Sequence, residues 1–236
     1  MLAGGKGVRM ESDLPKVIHH LREKPLILYV VDSLRKAGIT DIIAVVGYKG
    51  EMVLDILDPG VRHVWQRQQL GTGHAVMQAE EALAGFDGTI IIACGDVPLI
   101  KPSTFENLIR ESRDEKTKAV VLTMTLANPT GYGRIVKNET GEFIRIVEEK
   151  DAAPEQRLIK EVNTGTYAFD KAFLFEGLKK INTNNAQREY YLPDALNHVL
   201  ASGYKVKTVM LDEPIEGSGV NTKNDLLAVE SFLASN

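Results

Sequence analysis

Three short, almost wholly apolar runs occur in this sequence before residue 127. They are rich in β-branched residues: IIAVV at Ile42–Val46, TIIIA at Thr89–Ala93 and AVVLTMTL at Ala119–Leu126. A strand with one solvated face alternates apolar and polar residues, whereas a strand that is covered on both faces is apolar throughout. The runs therefore predict parallel strands that are buried on both faces of a sheet.

Helical periodicity separates these runs. One apolar helix face ends at Gly38, and another follows Pro102. The residues that carry the two faces are Ile27, Val30, Val31 and Leu34 in the first, and Phe105, Leu108 and Ile109 in the second. Alternating strands and helices predict an open, doubly wound, mostly parallel α/β sheet.

The pattern changes after residue 126. The runs Arg134–Lys137 and Phe143–Val147 flank a turn sequence and predict a β-hairpin. Beyond a polar segment at 151–160, we predict a helix over Leu192–Leu200, a strand over Val206–Leu211 and a closing helix over Leu226–Leu233. We expect one domain over residues 1–236, with a small β-rich substrate-side subdomain from about 127 to 200.

Composition narrows the class of protein. Of the 236 residues, 44% are hydrophobic and 25% charged, which is typical of a globular chain, and the net charge of −4 argues against wholesale binding to nucleic acid or to an anionic membrane. No apolar run approaches the ~20 residues of a membrane span, and no signal peptide precedes residue 2. Cys94 is the single cysteine, which excludes an intrachain disulfide and a cysteine metal cage, so we expect a cytoplasmic protein.

The stretch LAGGKGVRMESDLPK at residues 2–16 is the first candidate for chemistry. A glycine-rich turn after a strand exposes backbone N–H groups to phosphate oxygens, and Lys6, Arg9 and Lys16 add positive charge nearby. The stretch lacks both the GK[ST] ending of the P-loop and the GxGxxG spacing of dinucleotide-binding loops. Taken alone, it is equally compatible with a flexible loop that carries solvated charges.

A longer set of motifs resembles the sugar-1-phosphate nucleotidyltransferase family. The resemblance is greatest to the pyrophosphorylase domain of bacterial N-acetylglucosamine-1-phosphate uridylyltransferases, and it spans essentially the whole chain. LAGGKGVRM is followed by LPKVIH, and the later motifs keep the family's order. They are QRQQLGTGHAV at 66–76, GDVPLI at 95–100, GYGRIV at 131–136, IVEEKDA at 146–152, EVNTGTYAF at 161–169, EYYLPDA at 189–195 and GVNTKNDL at 219–226.

The resemblance implies a nucleotide site and a metal pair. Asp96 and Asn221 would together hold a catalytic Mg²⁺, although each alone is typical of a turn residue, and Glu216 is a weaker acidic candidate. Gln66 would read the edge of uracil, although a polar glutamine-rich loop is the plain alternative. His74 is expected to be structural. The remaining nucleotide-binding residues implied are Leu2, Ala3, Gly4, Gly5, Lys16, Gly71, Thr72, Cys94 and Gly95.

The resemblance also implies a sugar site within residues 127–200. Its members would be Gly133, Glu148, Asn163 and Thr164, which match the family's contacts to the N-acetylhexosamine. Tyr190 and Tyr191 could form an apolar wall against the sugar or belong to the core. The charged run that begins at Glu148 is expected to be a solvated face beyond its first member.

The implied reaction transfers UMP from UTP to N-acetylglucosamine-1-phosphate and releases pyrophosphate. Lys16 and Arg9 would supply positive charge, because an anionic nucleophile must approach an anionic phosphate. Two rivals stay open: a transferase for another sugar phosphate or nucleotide, and a non-catalytic nucleotide-sugar sensor.

Two departures from the family bear on what this chain does. The hexapeptide repeats of the family's acetyltransferase domain are absent here, so we expect neither acetyltransferase activity nor the trimer which that domain builds. The family's first strand begins several residues before LAGG, so we expect a truncated start. The oligomeric state is not predicted.

Overall fold

A computed structural model describes residues 1–235. The strands are β1 (Leu2–Ala3), β2 (His20–Leu21), β3 (Lys24–Pro25), β4 (Ile42–Val46), β5 (Val61–Trp65), β6 (Thr89–Ile92), β7 (Thr117–Thr125), β8 (Arg134–Lys137), β9 (Phe143–Val147), β10 (Glu161–Asp170) and β11 (Lys205–Met210). The α-helices are α1 (Leu26–Lys36), α2 (Gly50–Leu54), α3 (Thr72–Met77), α4 (Pro102–Glu111), α5 (Pro154–Arg157), α6 (Lys171–Leu178), α7 (Leu196–Ala201) and α8 (Lys223–Ser235).

The main sheet has the strand order β5–β4–β1–β6–β10–β7–β11. Strand β1 joins its two halves, because Leu2 donates its amide hydrogen to the carbonyl of Ala93 at 2.8 Å and accepts from Gly95 at 2.9 Å. Strands β4, β5 and β11 pair in parallel with their neighbours, whereas β10 runs antiparallel to both β6 and β7. The β8–β9 hairpin attaches to the beginning of β10 through the Val162–Arg134 pair.

Helices cover the sheet on both faces. On one face, α1 and α4 pack with alternate residues of β7, including Val120 and Leu122. On the other face, α3, α6 and α7 pack with the intervening residues Ala119 and Val121. This two-sided burial explains why the strand is apolar throughout, and it confirms the predicted doubly wound α/β class.

The apolar runs did not predict the direction of every strand in the sheet. The strands over Thr89–Ile92 and Thr117–Thr125 form where they were predicted, but each borders the antiparallel β10. An apolar run reports burial on both faces and carries no information about the direction of the neighbouring strand. The sheet is therefore parallel-rich but interrupted by one reversed strand.

Strand β1 contains two residues, whereas β4 beside it contains five. On the N-terminal side of β1, the amino group of Met1 donates to the carbonyl of Ile43 at 2.8 Å. An apolar groove of about 320 Å³ continues from Met1, bordered by Ile43, Val45, Ile90 and Ile91. The glycine-rich loop is thus anchored to the sheet through Leu2 and Ala3, with β4 on one side and β6 on the other.

Candidate active site

The carboxyl ends of β1 and β6 meet at one edge of the sheet, because the two strands lie side by side in parallel. The glycine-rich loop leaves the first strand there, and Cys94 to Asp96 follow the second. They border a pocket of about 260 Å³. The predicted residues that line it are Leu2, Ala3, Gly4, Gly5, Lys16, Gln66, Gly71, Thr72, Cys94 and Asp96. Val17, Gln69, Ala75 and Glu189, which were not predicted, complete the lining.

Gly95, also predicted to contact the nucleotide, is not among the lining residues and instead bonds to Leu2 in the sheet. Its neighbour Cys94 lines the pocket, and the Sγ atom of Cys94 lies 3.5 Å from the carbonyl oxygen of Gly165. Burial raises the pKa of the Cys94 thiol to about 12, so the thiol is protonated at neutral pH. Cys94 therefore acts as a small neutral side chain rather than as a nucleophile.

The glycine-rich loop turns back over Lys16. Gly7 has a φ of 65°, and a Cβ atom at this position would lie 2.7 Å from the Cβ of Lys16. Any larger residue would be strained and would push the loop away from the lysine. A short 3₁₀ turn over Val8–Met10 follows and holds Arg9 exposed beside the pocket.

The predicted metal pair comes together around Lys16. The Lys16 ammonium forms an ion pair with Asp96 Oδ2 and lies 3.0 Å from Asn221 Oδ1. The Arg9 guanidinium donates to the same Asn221 oxygen at 2.9 Å. Val220 donates its backbone amide to the carbonyl of Asp96 at 2.9 Å, which ties the C-terminal loop to the end of β6. Four polar side chains from three separate segments of the sequence thus meet at one point.

These oxygens fit a divalent cation. A carboxylate and an amide oxygen that already share one ammonium group form a hard-oxygen donor pair. Within residues 1–235 no group of three or more His, Cys, Asp or Glu side chains could hold a metal by itself. The protein would therefore supply two ligands, and phosphate oxygens and water would supply the others, as Mg²⁺ prefers.

Gln66 is buried and lines the same pocket. Its Nε2 donates to the carbonyl of Gly71 at 3.0 Å and lies 3.2 Å from His74 Nδ1. These contacts fix the orientation of the amide before any base arrives. His74 is stacked on Tyr190, with ring centroids 6.3 Å apart, in agreement with its predicted structural role.

Three of the predicted sugar residues, Gly133, Glu148 and Asn163, form a second cluster beside β8 and β10. Asn163 donates its backbone amide to Gly133 O at 2.9 Å, and its Nδ2 donates to the hydroxyl of Tyr167 at 2.6 Å. A Cβ atom on Gly133 would lie 3.2 Å from Glu148 Oε1, so the backbone there approaches the carboxylate closely. Burial, reinforced by the carboxylates of Asp194, Asp151 and Glu189, raises the pKa of Glu148 to about 7.

Thr164 has a different role from the other sugar candidates. It is buried, and its hydroxyl donates to the carbonyl of Leu122 at 2.9 Å. Its methyl group packs against Gly217, close to the loop that carries Asn221. Thr164 therefore connects β10 to the C-terminal loop rather than exposing a side chain toward a ligand.

In the charged run 148–151, Lys150 and Asp151 are exposed as the sequence predicted, but two of its carboxylates also have specific partners. Glu149 pairs with Arg134 at 2.6 Å, and the side chain of this arginine is 2% exposed. Asp151 accepts from the hydroxyl of Tyr191 and from the backbone of residue 186. Tyr191 is accordingly buried, and burial raises its pKa to about 12, so the phenol remains a hydrogen donor.

The sequence profile of the family described as nucleotidyl transferase matches residues 1–227, a range that contains every side chain of the site. The chain belongs to the nucleotidyl transferase family. Among residues 1–235 of this nucleotidyl transferase, no helix combines the length and apolar character that a bilayer span requires.

Relatives of this nucleotidyl transferase occur in several bacteria. Proteins named bifunctional protein GlmU from Halalkalibacterium halodurans and Streptococcus thermophilus are each 45% identical over 233 residues. These alignments cover 99% of this chain but 51% of each relative, so the chain spans about half of their length. A solved structure of UDP-glucose pyrophosphorylase complexed with UDP-glucose superposes with a TM-score of 0.79, 20% identity and coverage of 99% and 97%, which shows a shared fold.

Glu216, the weaker metal candidate, has a structural role in this transferase. It is buried, its Oε1 accepts the backbone amide of Lys101 at 3.1 Å, and it also accepts from the hydroxyl of Thr104. These donors lie in the first turn of α4, so the carboxylate satisfies groups that the helix itself leaves unpaired. Glu216 is therefore bonded to the start of α4, and a metal role for it stays a prediction.

Replacing Glu216 with alanine is expected to destabilise the protein without changing its metal requirement. The substitution leaves the Lys101 amide and the Thr104 hydroxyl without their acceptor, at a cost of about 2 kcal/mol. Denaturant unfolding measures the loss, and a magnesium titration of activity measures the metal requirement. A shifted magnesium midpoint in a stably folded variant would restore Glu216 to the metal site.

Proposed function

We propose that this nucleotidyl transferase is a UDP-N-acetylglucosamine pyrophosphorylase, which joins UTP and N-acetylglucosamine-1-phosphate with the help of Mg²⁺ in the cytoplasm. The observation that carries the proposal is the convergence of Asp96, Asn221, Lys16 and Arg9 beside the pocket. The motif order and the relatives named bifunctional protein GlmU support the choice of nucleotide and sugar. The lone cysteine supports a reducing compartment.

The reaction needs positive charge and alignment rather than a base. An oxygen of the sugar phosphate attacks the α-phosphorus of UTP, a new P–O bond forms, and the α–β bond breaks so that pyrophosphate leaves with the electron pair. Lys16 faces the two reacting phosphates, whereas Arg9 and the loop amides stabilise the departing pyrophosphate. A magnesium ion held by Asp96 and Asn221 would supply further positive charge to the phosphates when bound.

The sugar and the base are held by the other two clusters. Gln66, oriented by Gly71 and His74, presents its amide to the base. Glu148 accepts hydrogen bonds from sugar hydroxyls, and Asn163 supplies a polar edge beside Gly133. Neither cluster supplies a nucleophile, in agreement with a direct transfer between phosphates.

Binding of the sugar phosphate is expected to weaken as the pH falls through 7. The pKa of Glu148 is about 7, so its carboxylate is ionised at pH 8 and protonated at pH 6. The protonated form loses acceptor capacity, and KM for the sugar phosphate should rise about tenfold from pH 8 to pH 6. Steady-state kinetics at constant ionic strength measures the change.

The matched variant Glu148→Gln separates this effect from ionisation of the substrate. The amide cannot titrate, so the variant retains only the pH dependence of the sugar phosphate itself. If the wild-type protein and Glu148→Gln show the same pH profile, Glu148 does not bind the sugar in its ionised form.

A substrate panel tests the proposed function. Pyrophosphate release is measured with five nucleoside triphosphates, each paired with N-acetylglucosamine-1-phosphate, glucose-1-phosphate and N-acetylgalactosamine-1-phosphate. We expect the highest kcat/KM for UTP with N-acetylglucosamine-1-phosphate. A higher value for another pair would reassign the substrate, and tight UDP-sugar binding without turnover would indicate a sensor.

A further inference from the structure

Residues 182–191 form a loop that contacts the nucleotide side of the candidate active site. The Tyr190 amide donates to the carbonyl of Leu70, and its own carbonyl accepts from Gly73, both at 2.8 Å. The adjacent Glu189 lines the nucleotide pocket. The end of this loop is therefore bonded to the segment that carries the predicted uracil-reading residues.

The loop is wound around the side chain of Asn185. The Oδ1 of this asparagine accepts the backbone amides of Gln187 and Glu189, at 3.2 and 3.1 Å, and its Nδ2 donates to the Glu189 carbonyl at 2.6 Å. Arg188, between them, has a φ of 55°, an uncommon conformation for a residue other than glycine. Such a conformation persists where surrounding contacts determine it.

Asp151 holds this loop from the sugar side. It lies in the turn after β9, three residues beyond Glu148. Its Oδ1 accepts the backbone amide of Ala186 at 2.9 Å, and its Oδ2 accepts the hydroxyl of Tyr191 at 3.0 Å. One bond reaches the middle of the loop and the other its last residue, so one carboxylate fixes the second half of the segment relative to Glu148.

The residues fixed in this way face one cavity. Glu148, Asp151 and Tyr191 line the same pocket of about 320 Å³. The ring of Tyr191 is buried, and its hydroxyl, which needs a hydrogen-bond partner there, donates to Asp151. Tyr191 bonds to Asp151, and its neighbour Tyr190 bonds to Leu70 and Gly73. The end of the loop thus contacts both the sugar side and the nucleotide side, which would keep the two substrates aligned.

We propose that Asp151 is a positioning residue of the sugar subsite, which holds Tyr191 and the 182–191 loop against Glu148 and thereby sets the affinity for the sugar phosphate. The proposal rests on the function proposed above and adds a residue to it. Asp151 acts through Tyr191 and the loop, without a contact to the reacting phosphates.

Steady-state kinetics of Asp151→Ala, Asp151→Asn and Tyr191→Phe tests the proposal. Loss of both bonds in Asp151→Ala should raise KM for the sugar phosphate about tenfold. KM for UTP and kcat should change by less than about threefold, since the phosphate-binding groups are untouched. Asp151→Asn keeps an acceptor for Ala186 and a polar partner for the phenol, so it should recover most of the affinity.

A double variant and a control variant test whether the change in KM comes from the bond between Asp151 and Tyr191. The double variant Asp151→Ala with Tyr191→Phe should be no worse than Asp151→Ala alone, because both remove the same bond. Glu155→Gln, which neutralises an exposed carboxylate four residues along the chain, should behave as the wild-type protein. Equal losses in KM for both substrates, or a KM for the sugar phosphate unchanged in Asp151→Ala, would overturn the proposal.

Hydrogen exchange provides a readout that needs no turnover. Peptides that cover 182–191 should exchange faster in Asp151→Ala than in the wild-type protein, whereas peptides of β7 should not change. Unchanged exchange in the loop would reject the role of Asp151. The loop could exchange faster in Asp151→Ala while the wild-type protein turns over no sugar phosphate. That result would reject the proposed function and leave the positioning of the loop by Asp151 established.

Discussion

Replacing Asp96 with asparagine is expected to lower turnover by about 10²-fold or more and to weaken the dependence on magnesium. The substitution removes the only carboxylate of the proposed metal pair, and it leaves the Lys16 ammonium without its anionic partner. The fold should survive, because asparagine has nearly the same shape and the backbone bond between Val220 and Asp96 is kept. Magnesium titrations of activity, with a thermal melt as a check of folding, measure both effects.

Asp41→Asn is the matched control for this substitution. Asp41 is an exposed carboxylate that pairs with Arg62 on the surface, away from the pocket. Its substitution should leave both turnover and the magnesium midpoint unchanged. A magnesium titration of Asp96→Asn that coincides with that of the wild-type protein would contradict the metal assignment.

Arg9→Ala is expected to lower turnover by about 10²-fold, the usual effect of removing an electrostatic donor from an anionic transition state. In the structure the guanidinium is exposed and bonded to Asn221, so nothing in the core depends on it. In the reverse direction, KM for pyrophosphate should rise in the same variant, because Arg9 is proposed to hold that group. Forward and reverse assays of one preparation measure the two parameters.

Two further variants, Arg9→Lys and Arg113→Ala, show whether the loss of turnover comes from the guanidinium group of Arg9. Lysine keeps the charge but cannot bond to two oxygens at once, so it should recover part of the activity. Arg113 is an exposed arginine at the end of α4, and its removal should have no effect. Unchanged turnover in Arg9→Ala would remove this residue from the mechanism.

Much of the candidate site could be predicted because it depends on local sequence. Asp96 follows a buried strand, and the carboxyl end of such a strand is where an open α/β sheet binds ligands. Lys16 and Arg9 lie in a glycine-rich stretch that must turn after β1. The resemblance supplied the distant partner Asn221, which no spacing rule connects to residue 96.

The contacts that the sequence did not predict are those of charged groups whose partners are remote in sequence. Glu216 bonds to the start of α4, more than a hundred residues earlier. Asp151 is exposed as its charged run predicted, yet it bonds to the 182–191 loop, and Glu149 beside it pairs with Arg134. The sequence neighbours of a carboxylate do not reveal which donors packing will bring to it.

By itself, the sequence determined which segments are strands and helices, since apolar periodicity and turn residues act over a few positions. It also determined that the glycine-rich loop and Asp96 follow strands. Only the tertiary structure decided the reversed direction of β10, the meeting of Asp96 with Asn221 around Lys16, and the attachment of the loop to Asp151. These features depend on contacts between distant segments, and such contacts are settled when the hydrophobic faces pack, not by local preference.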